Sequence, residues 1–326
     1  MKHISILIPK GHVSVVNVAG THQMLTWVNE FYKETGRDPL FQIQLVGLDR
    51  EADASGGLFA TKPEVSIKDV TKTDLIIIPA IHDDFETVVK RNKDFMPWIV
   101  GHYKEGAEVV SLCVSSFFLA ATGLLDGKPC STHWQFANVF KENFPKAILT
   151  DERIVTDADG IYTSGGAYAF TNLVIYLIEK YAGRETAVMA AKGFMIDIER
   201  SSQSPFMVFS GQKNHKDDMV LKAQEYIEKN YQNKISVNDL CEDMALSRRT
   251  FERRFKNATS NTVLEYLQRV KIEAAKKELE KGRKTVNEVM YEVGYNDAKA
   301  FRDVFRKVTS MSPLQYQKKY SIIQTA

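Results

Sequence analysis

One unit of sequence occurs twice between Ser236 and Tyr320, and this duplication constrains the chain more than any other feature. Around Phe251 the sequence reads SRRTFERRFKNATSNTVLEY, and around Phe301 it reads NDAKAFRDVFRKVTSMSPLQY. At an offset of 50 residues, Phe251 matches Phe301, Phe255 matches Phe305 and Thr259 matches Thr309. Ser260, Leu264 and Tyr266 match Ser310, Leu314 and Tyr316 in the same way. Upstream the offset is 49, pairing Val237 with Val286, Leu240 with Val289, Met244 with Val293 and Ser247 with Asn296. A repeat of this size predicts one supersecondary element used twice.

The periodicity says which element. Ser236 followed by Asp239 marks a helix start, and Val237–Met244 makes a short first helix. Ala245-Leu246 makes the turn, and Ser247 caps a second helix running to about Ala258. Phe251 and Phe255, one helical turn apart, face inward. Arg248, Arg249, Glu252, Arg253 and Lys256 then face outward. In the second copy Thr285 and Glu288 form a capping box on Val286–Glu292, Gly294 lies in the turn, and the next helix runs from Asp297 to Val308. There Phe301 and Phe305 point inward, while Asp297, Lys299, Arg302, Asp303 and Arg306 point outward. Two short helices joined by a tight turn, with cations on the second, describe a helix-turn-helix. Arg donates to guanine O6 and N7 or to phosphate. Double-stranded DNA is therefore the expected partner, with Arg248, Arg249, Arg253, Asp297, Lys299, Arg302 and Asp303 as candidate contacts. Between the copies Thr262 and Glu265 cap a long helix over 263–280. At about 1.5 Å per residue it is roughly 27 Å long, enough to set two recognition helices on successive major-groove segments.

Charge supports a division of labour. From Met219 onward there are 21 Lys and Arg against 14 Asp and Glu, whereas the whole chain carries a formal net charge of only +2. A basic C-terminal third on an acidic body fits a nucleic-acid module attached to something else. Apolar residues make up 44% of the chain and charged residues 26%, as in globular proteins. No run approaches the ~20 apolar residues of a membrane span, and MKHISILIPK is too soon interrupted to be a secretory signal. Three cysteines, Cys113, Cys130 and Cys241, give no disulfide framework. A cytoplasmic protein is expected, away from membranes, with no metal and no cofactor.

The first two-thirds alternate apolar strand runs (His3–Pro9, Phe41–Leu48, Thr73–Ala80, Glu108–Leu112) with helical stretches (Ala19–Lys33, Phe95–Lys104, Ser115–Thr122, Trp134–Asn143). Arg153–Ser164 reads as a hairpin around the Asp157–Gly160 turn, and Ala169–Tyr181 as a last amphipathic helix. This pattern predicts a doubly wound, mostly parallel sheet. Ligand sites in such sheets lie beyond the carboxyl ends of the strands. Asn17, His82, Cys113, His133 and Ser164 would gather there, with His12 and the Gly165-Gly166 turn as weaker neighbours. Cys113, between a strand and a helix, has the position of an exposed nucleophile, and His133 is a possible base partner. The plainer alternative makes Cys113 a small buried hydrophobe and His133 a satisfied core histidine.

Two resemblances follow from these residues. EVVSLCVSSFFLAATGLLDGKPCSTHW resembles the signature of PfpI-like domains, relatives of class I glutamine amidotransferases, in the branch fused to transcription regulators. It implies a flavodoxin-like fold over about Lys2 to Lys192, with Cys113 and His133 at the nucleophile and histidine positions. Several positions depart from that pattern. Asn17 stands where an acidic residue is usual, Ala80-Ile81 replaces a Gly-Gly pair, and Val114, Ser115 and Ser116 replace small residues after the cysteine. Asn cannot accept a proton, and losing the glycines removes backbone freedom where an oxyanion hole would form. The site therefore reads as degenerate, with no catalytic residues. The second resemblance covers Asp218 to Tyr320 and is to the AraC-type DNA-binding domain, carried by ISVNDLCEDMALSRRTFERRFK, EYLQRVKIEAAKKELE and VGYNDAKAFRDVFRKVTSMSPLQYQKKY. Together they imply a transcription regulator. Residues 1–195 would be an α/β sensor, 196–217 a connector, and 218–320 an all-α domain with two helix-turn-helix motifs. The implied effector is a small molecule, an amino acid or quaternary amine, and the implied assembly is a homodimer. The alternative is a thiol amidase or hydrolase using Cys113 and His133 with an attached DNA-binding domain.

Overall fold

The computed structural model describes residues 1–51, 59–213 and 215–323. It divides into two compact units, Met1–Gln203 and Ser204–Ala326.

The first unit is built on seven strands in the order β3-β2-β1-β4-β5-β9-β8. In chain order, β1 (Lys2–Ile8) is followed by α1 (Val15–Glu34), β2 (Phe41–Gly47), β3 (Val65–Ser66) and β4 (Leu75–Ile78). Next come α2 (Phe85–Asn92), α3 (Phe95–Lys104), β5 (Glu108–Ser111) and α4 (Ser116–Ala121). The short strands β6 (Pro129–Cys130) and β7 (Ile148–Leu149) flank α5 (Ala137–Asn143) and pair with each other outside the main sheet. Finally β8 (Val155–Ala158), β9 (Ile161–Ser164) and α6 (Phe170–Gly193) complete the unit. All pairings in the main sheet are parallel except β8 with β9, the expected hairpin.

Alternation along the central strands explains the layers, since successive side chains leave a strand on opposite faces. Ile4, Ile6 and Ile8 of β1 and Leu75 and Ile77 of β4 join a core with α1 and α6. Leu7 of β1 and Ile76 and Ile78 of β4 join a second core with Val88, Phe95, Ile99 and Phe118 from α2, α3 and α4. Strands buried on both faces have to be continuously apolar, as LIII is. The fold is the flavodoxin-like doubly wound sheet that the first resemblance implied.

The last helix of the sequence reading does end near Tyr181, because the backbone at Gly183, with φ 86° and ψ 164°, is not helical; a further helical segment, not expected from the sequence, follows to Gly193. One boundary differs from the sequence reading. The expected connector is divided between the units. Ile196 and Ile198 pack on the first core. Ser202 bridges to Arg153, and the Gln203 side chain donates to the carbonyls of Thr132 (2.9 Å) and Asp151 (2.6 Å). Polar residues looked like linker sequence because their partners are backbone groups distant in the chain.

The second unit is all-helical: α7 (Asp218–Asn230), α8 (Val237–Asp243), α9 (Arg248–Thr259), α10 (Val263–Lys281), α11 (Val286–Glu292), α12 (Ala298–Thr309) and α13 (Pro313–Tyr320). Phe251, Phe255 and Tyr266 fill one core with α7 and α8. Phe301, Phe305 and Tyr316 fill the matching core of the second copy. α10 belongs to both cores, with Val263 and Tyr266 in the first and Ile272, Ala275 and Leu279 in the second. The two copies are therefore held on one helix, as the duplication predicted.

Candidate functional site

The sheet order reverses between β1 and β4, so the loops after these two strands part to opposite faces. Residues 9–14 and 80–84 nevertheless stay bound to each other. Val13 bridges to Ile81, Ser14 N–H donates to Ala80 O at 2.8 Å, and His82 N–H donates to His12 O at 2.9 Å. Asn17, in the first turn of α1, is buried, and its Oδ1 accepts the Ala80 N–H at 3.1 Å.

Cys113 lies beside this crevice, after β5. Its φ is 60°, and residues 113–115 form a single 3-10 turn leading into α4. A non-glycine residue in the left-handed region costs about 1–2 kcal/mol, and such strain collects at functional positions. A second instance stands next to it: Ala167 has φ 49°, and its N–H is directed at the Cys113 thiol. The sharp strand-to-helix turn expected for Cys113 is present. Its exposure is not, because Cys113 is only 3% exposed. Burial raises the thiol pKa, against the lowering pull of the Ala167 and Val114 N–H groups. Ser164 is fully buried, and its Oγ accepts the Cys113 N–H at 3.2 Å.

His133 precedes a short 3-10 turn and caps it, Nδ1 accepting the Gln135 N–H at 3.1 Å. Its ring packs against Trp134 and Phe136 and lies so close to Gly166 that a Cβ there would come within 2.2 Å of it. Burial and the proximity of His82 both hold its pKa below the ordinary histidine value. His82 is lowered too, by burial first and by His12 second, with Asp83 opposing. The His12 and His82 rings meet edge-on at 5.6 Å. Among the described residues no hydrogen bond joins Cys113 to His133, and no cluster of His, Cys, Asp or Glu could hold a metal ion.

The sequence-predicted pocket residues and their neighbour His12 therefore play unequal parts. His82, His12 and His133 form a linked group. Asn17, Cys113 and Ser164 are buried behind them, their polar atoms bonded to backbone. Cavities of about 630 Å³ in the second unit, beside Phe209 and Tyr231, and of about 230 Å³ between β8 and α6 have neither Cys113 nor His133 in their walls. Sequence reasoning missed Ala167 and Gln203. Gln203 accepts the Gly166 N–H at 3.3 Å while holding Thr132, and so braces both sides of His133. Nothing in the local sequence signals either role.

In the second unit the two recognition helices are near-copies. α9 is capped by Ser247 and α12 by Asp297, and both end on a left-handed serine, Ser260 and Ser310. This corrects one pairing: Ser247 matches Asp297, not Asn296, because the second turn holds one residue more. Asp297 is engaged in that cap, accepting from the N–H groups of Lys299 (2.7 Å) and Ala300 (3.0 Å). Arg248 is paired with Glu252 at 2.9 Å, and Arg302 donates to Ala298 O. Arg249, Arg253, Lys299 and Asp303 are exposed. Arg254, which the sequence reading left aside, forks onto Asp217 with bonds of 2.8 and 2.7 Å.

A doubly wound domain joined to paired helix-turn-helix units on one helix defines a DNA-binding transcription regulator. Residues 33–180 match the DJ-1/PfpI family and residues 240–319 match a helix-turn-helix domain. The chain thus unites a DJ-1/PfpI domain with an AraC-type helix-turn-helix domain. It is similar to the HTH-type transcriptional regulator GbdR of Pseudomonas aeruginosa (strain UCBPP-PA14), with 23% identity over 92% of this chain and 80% of that protein. Isonitrile hydratase of Pseudomonas putida is 27% identical over 52% of this chain and 70% of the enzyme. The crystal structure of Drosophila melanogaster DJ-1beta shares the fold of the first unit, with a TM-score of 0.51 and 16% identity over 60% of this chain and 100% of that one. No helix among the described residues is long and apolar enough to cross a membrane.

Proposed function

We propose that the chain is a cytoplasmic, homodimeric regulator whose DJ-1/PfpI domain senses a small molecule without transforming it and thereby controls sequence-specific DNA binding. The observation that carries this reading is the bond from Ala80 N–H to Asn17 Oδ1. Thiol catalysis needs a proton acceptor beside the nucleophile and free backbone donors for the oxyanion. Here an amide that cannot accept a proton occupies the Ala80 N–H, and burial raises the pKa of the Cys113 thiol.

The proposed pocket is the crevice rimmed by His12, His82 and His133, with Asn17, Cys113 and Ser164 behind them. The ring group at His133, Trp134 and Phe136 suits an organic cation such as an amino acid or a quaternary amine. The effector would favour one of two arrangements of the chain, by the difference between its affinities for them. The proposed DNA contacts are Arg248, Arg249, Arg253, Lys299, Arg302 and Asp303, with Asp297 ordering the start of α12.

One observation favours a second reading, a thiol hydrolase: Cys113 keeps the strained turn, with an N–H aimed at its sulfur. The Cys113→Ala variant separates the two. A sensor keeps DNA binding and changes its ligand response, whereas a hydrolase loses turnover of amide or isonitrile substrates. A thermal-shift screen of amino acids and quaternary amines tests the sensor directly. A ligand at about 100 times its Kd adds about 2.7 kcal/mol to stability, and silence across the screen would count against sensing.

A further inference from the structure

The two recognition helices share a scaffold and differ in what they display. Their burial patterns are identical residue for residue from Phe251 to Ser260 and from Phe301 to Ser310. Both begin at an N-cap whose side chain accepts from the first turn, and both end in the same left-handed serine geometry. Residues 50 apart on α9 and α12 therefore point the same way relative to their cores. The stripe opposite the phenylalanines is Arg249 and Arg253 on α9 and Lys299 and Asp303 on α12, each pair spaced i, i+4. At its second position the charge reverses, from Arg253 to Asp303.

Asp303 is the informative member. Lysine and arginine on a DNA-facing helix are explained by phosphate contact alone. A carboxylate is not, because phosphates repel it, and its favourable partners on the duplex are exocyclic amino groups of bases, chiefly cytosine N4. Asp303 enters no ion pair or hydrogen bond among the described residues, although Lys299, Arg306 and Lys307 lie within one turn on its own helix. Its counterpart Arg253 is equally unengaged, whereas the neighbouring Arg248 and Glu252 neutralise each other. A guanidinium at this position donates to guanine O6 and N7.

We propose that Arg253 and Asp303 are specificity-determining residues that make the two halves of the operator different: Arg253 reads a guanine, and Asp303 reads a cytosine at the equivalent place about one helical turn, roughly 10 base pairs, away. The site bound by one chain is then not a direct repeat, although the protein is. This rests on the DNA-binding reading and deepens it.

The test is selection of bound sequences from a random double-stranded library at one stated salt concentration. It uses the full chain as wild type, Arg253→Asp, Asp303→Arg and the double exchange. Both positions are exposed, so folding is not at stake, and circular dichroism verifies it. Asp303→Arg is expected to convert one cytosine preference to guanine and leave the other positions unchanged. Its affinity for the wild-type site falls about 5- to 150-fold, the discrimination of one base contact. The double exchange swaps the two preferences. Tighter binding of Asp303→Arg to every sequence with an unaltered preference overturns the proposal, since Asp303 would then act only as a repelling charge. A sequence-independent loss for Arg253→Asp also overturns it, assigning Arg253 to phosphate while DNA binding stands. Failure of the wild type to enrich any sequence would sink the DNA-binding reading itself.

Discussion

Asn17 and Ala80 satisfy each other: the Asn17 side-chain oxygen accepts the Ala80 N–H at 3.1 Å where the sheet order reverses. Both residues are buried, at 4% and 1% exposure. The bond ties α1 to the loop after β4 and gives that buried N–H its partner within the protein. Asn17→Ala leaves that N–H buried without a partner, at a cost of about 1–3 kcal/mol. The expected result is a melting temperature lower by about 2–4 °C for each kcal/mol lost, in a unit of this size. Gain of amide hydrolysis by the variant would contradict the sensor reading.

The thiols are expected to be slow. Burial pushes Cys130 up to about 12 and raises Cys113 as well, and the thiolate is the reactive form. Native protein at about pH 8 should consume iodoacetamide far more slowly than a free cysteine, with pKa about 8.5, while denatured protein titrates all three thiols. Rapid, selective labelling of Cys113 in the native state would restore the hydrolase reading.

The parts of this protein that repeat or alternate were legible in the sequence. The strand runs were readable because burial on both faces leaves short, continuously apolar segments, and the Phe251/Phe301 echo marked the second unit because two cores need the same residues. The site was legible only as a neighbourhood. Cys113 and His133 do lie near the carboxyl edge of the sheet, but whether they touch depends on a strained φ at Cys113 and on Gly166 admitting the His133 ring, neither of which has a sequence period. Gln203 was hidden for the same reason. Its value lies in reaching Thr132 and Gly166, and local composition there reads as linker.

Acid should loosen the first unit through its histidines. His82 and His133 have folded-state values below the ordinary one, so the unfolded chain takes up their protons first as pH falls. Stability from these groups is complete above the unfolded value of about 6.5 and is lost as pH drops toward the folded values. The melting temperature should therefore fall between about pH 7 and the folded values. His133→Asn should flatten that slope, whatever it does to stability at pH 8. An unchanged slope would show that the imidazoles titrate alike in both states.

The two helix-turn-helix corners make opposite predictions from the same geometry. Both need a left-handed residue: Ala245 has φ 50° in the first and Gly294 has φ 76° in the second. Alanine there carries a conformational cost of about 1–2 kcal/mol that glycine avoids, offset in part by the greater freedom of glycine in the unfolded chain. Ala245→Gly should thus leave stability unchanged or raise it by up to about 1 kcal/mol. Gly294→Ala meets the same strain and a collision as well, because its Cβ would lie 2.1 Å from Gln232 O and 2.9 Å from Lys271 Nζ. Lys271 donates from α10 to Gly294 O at 3.0 Å, so a displaced corner would also disturb the helix carrying both copies. The expected loss exceeds about 2 kcal/mol by chemical denaturation, as strain at a special backbone position does. DNA affinity should fall with it, because α12 starts at that corner. If Gly294→Ala proved as benign as Ala245→Gly, the close approach of Gln232 to the second corner would be wrong.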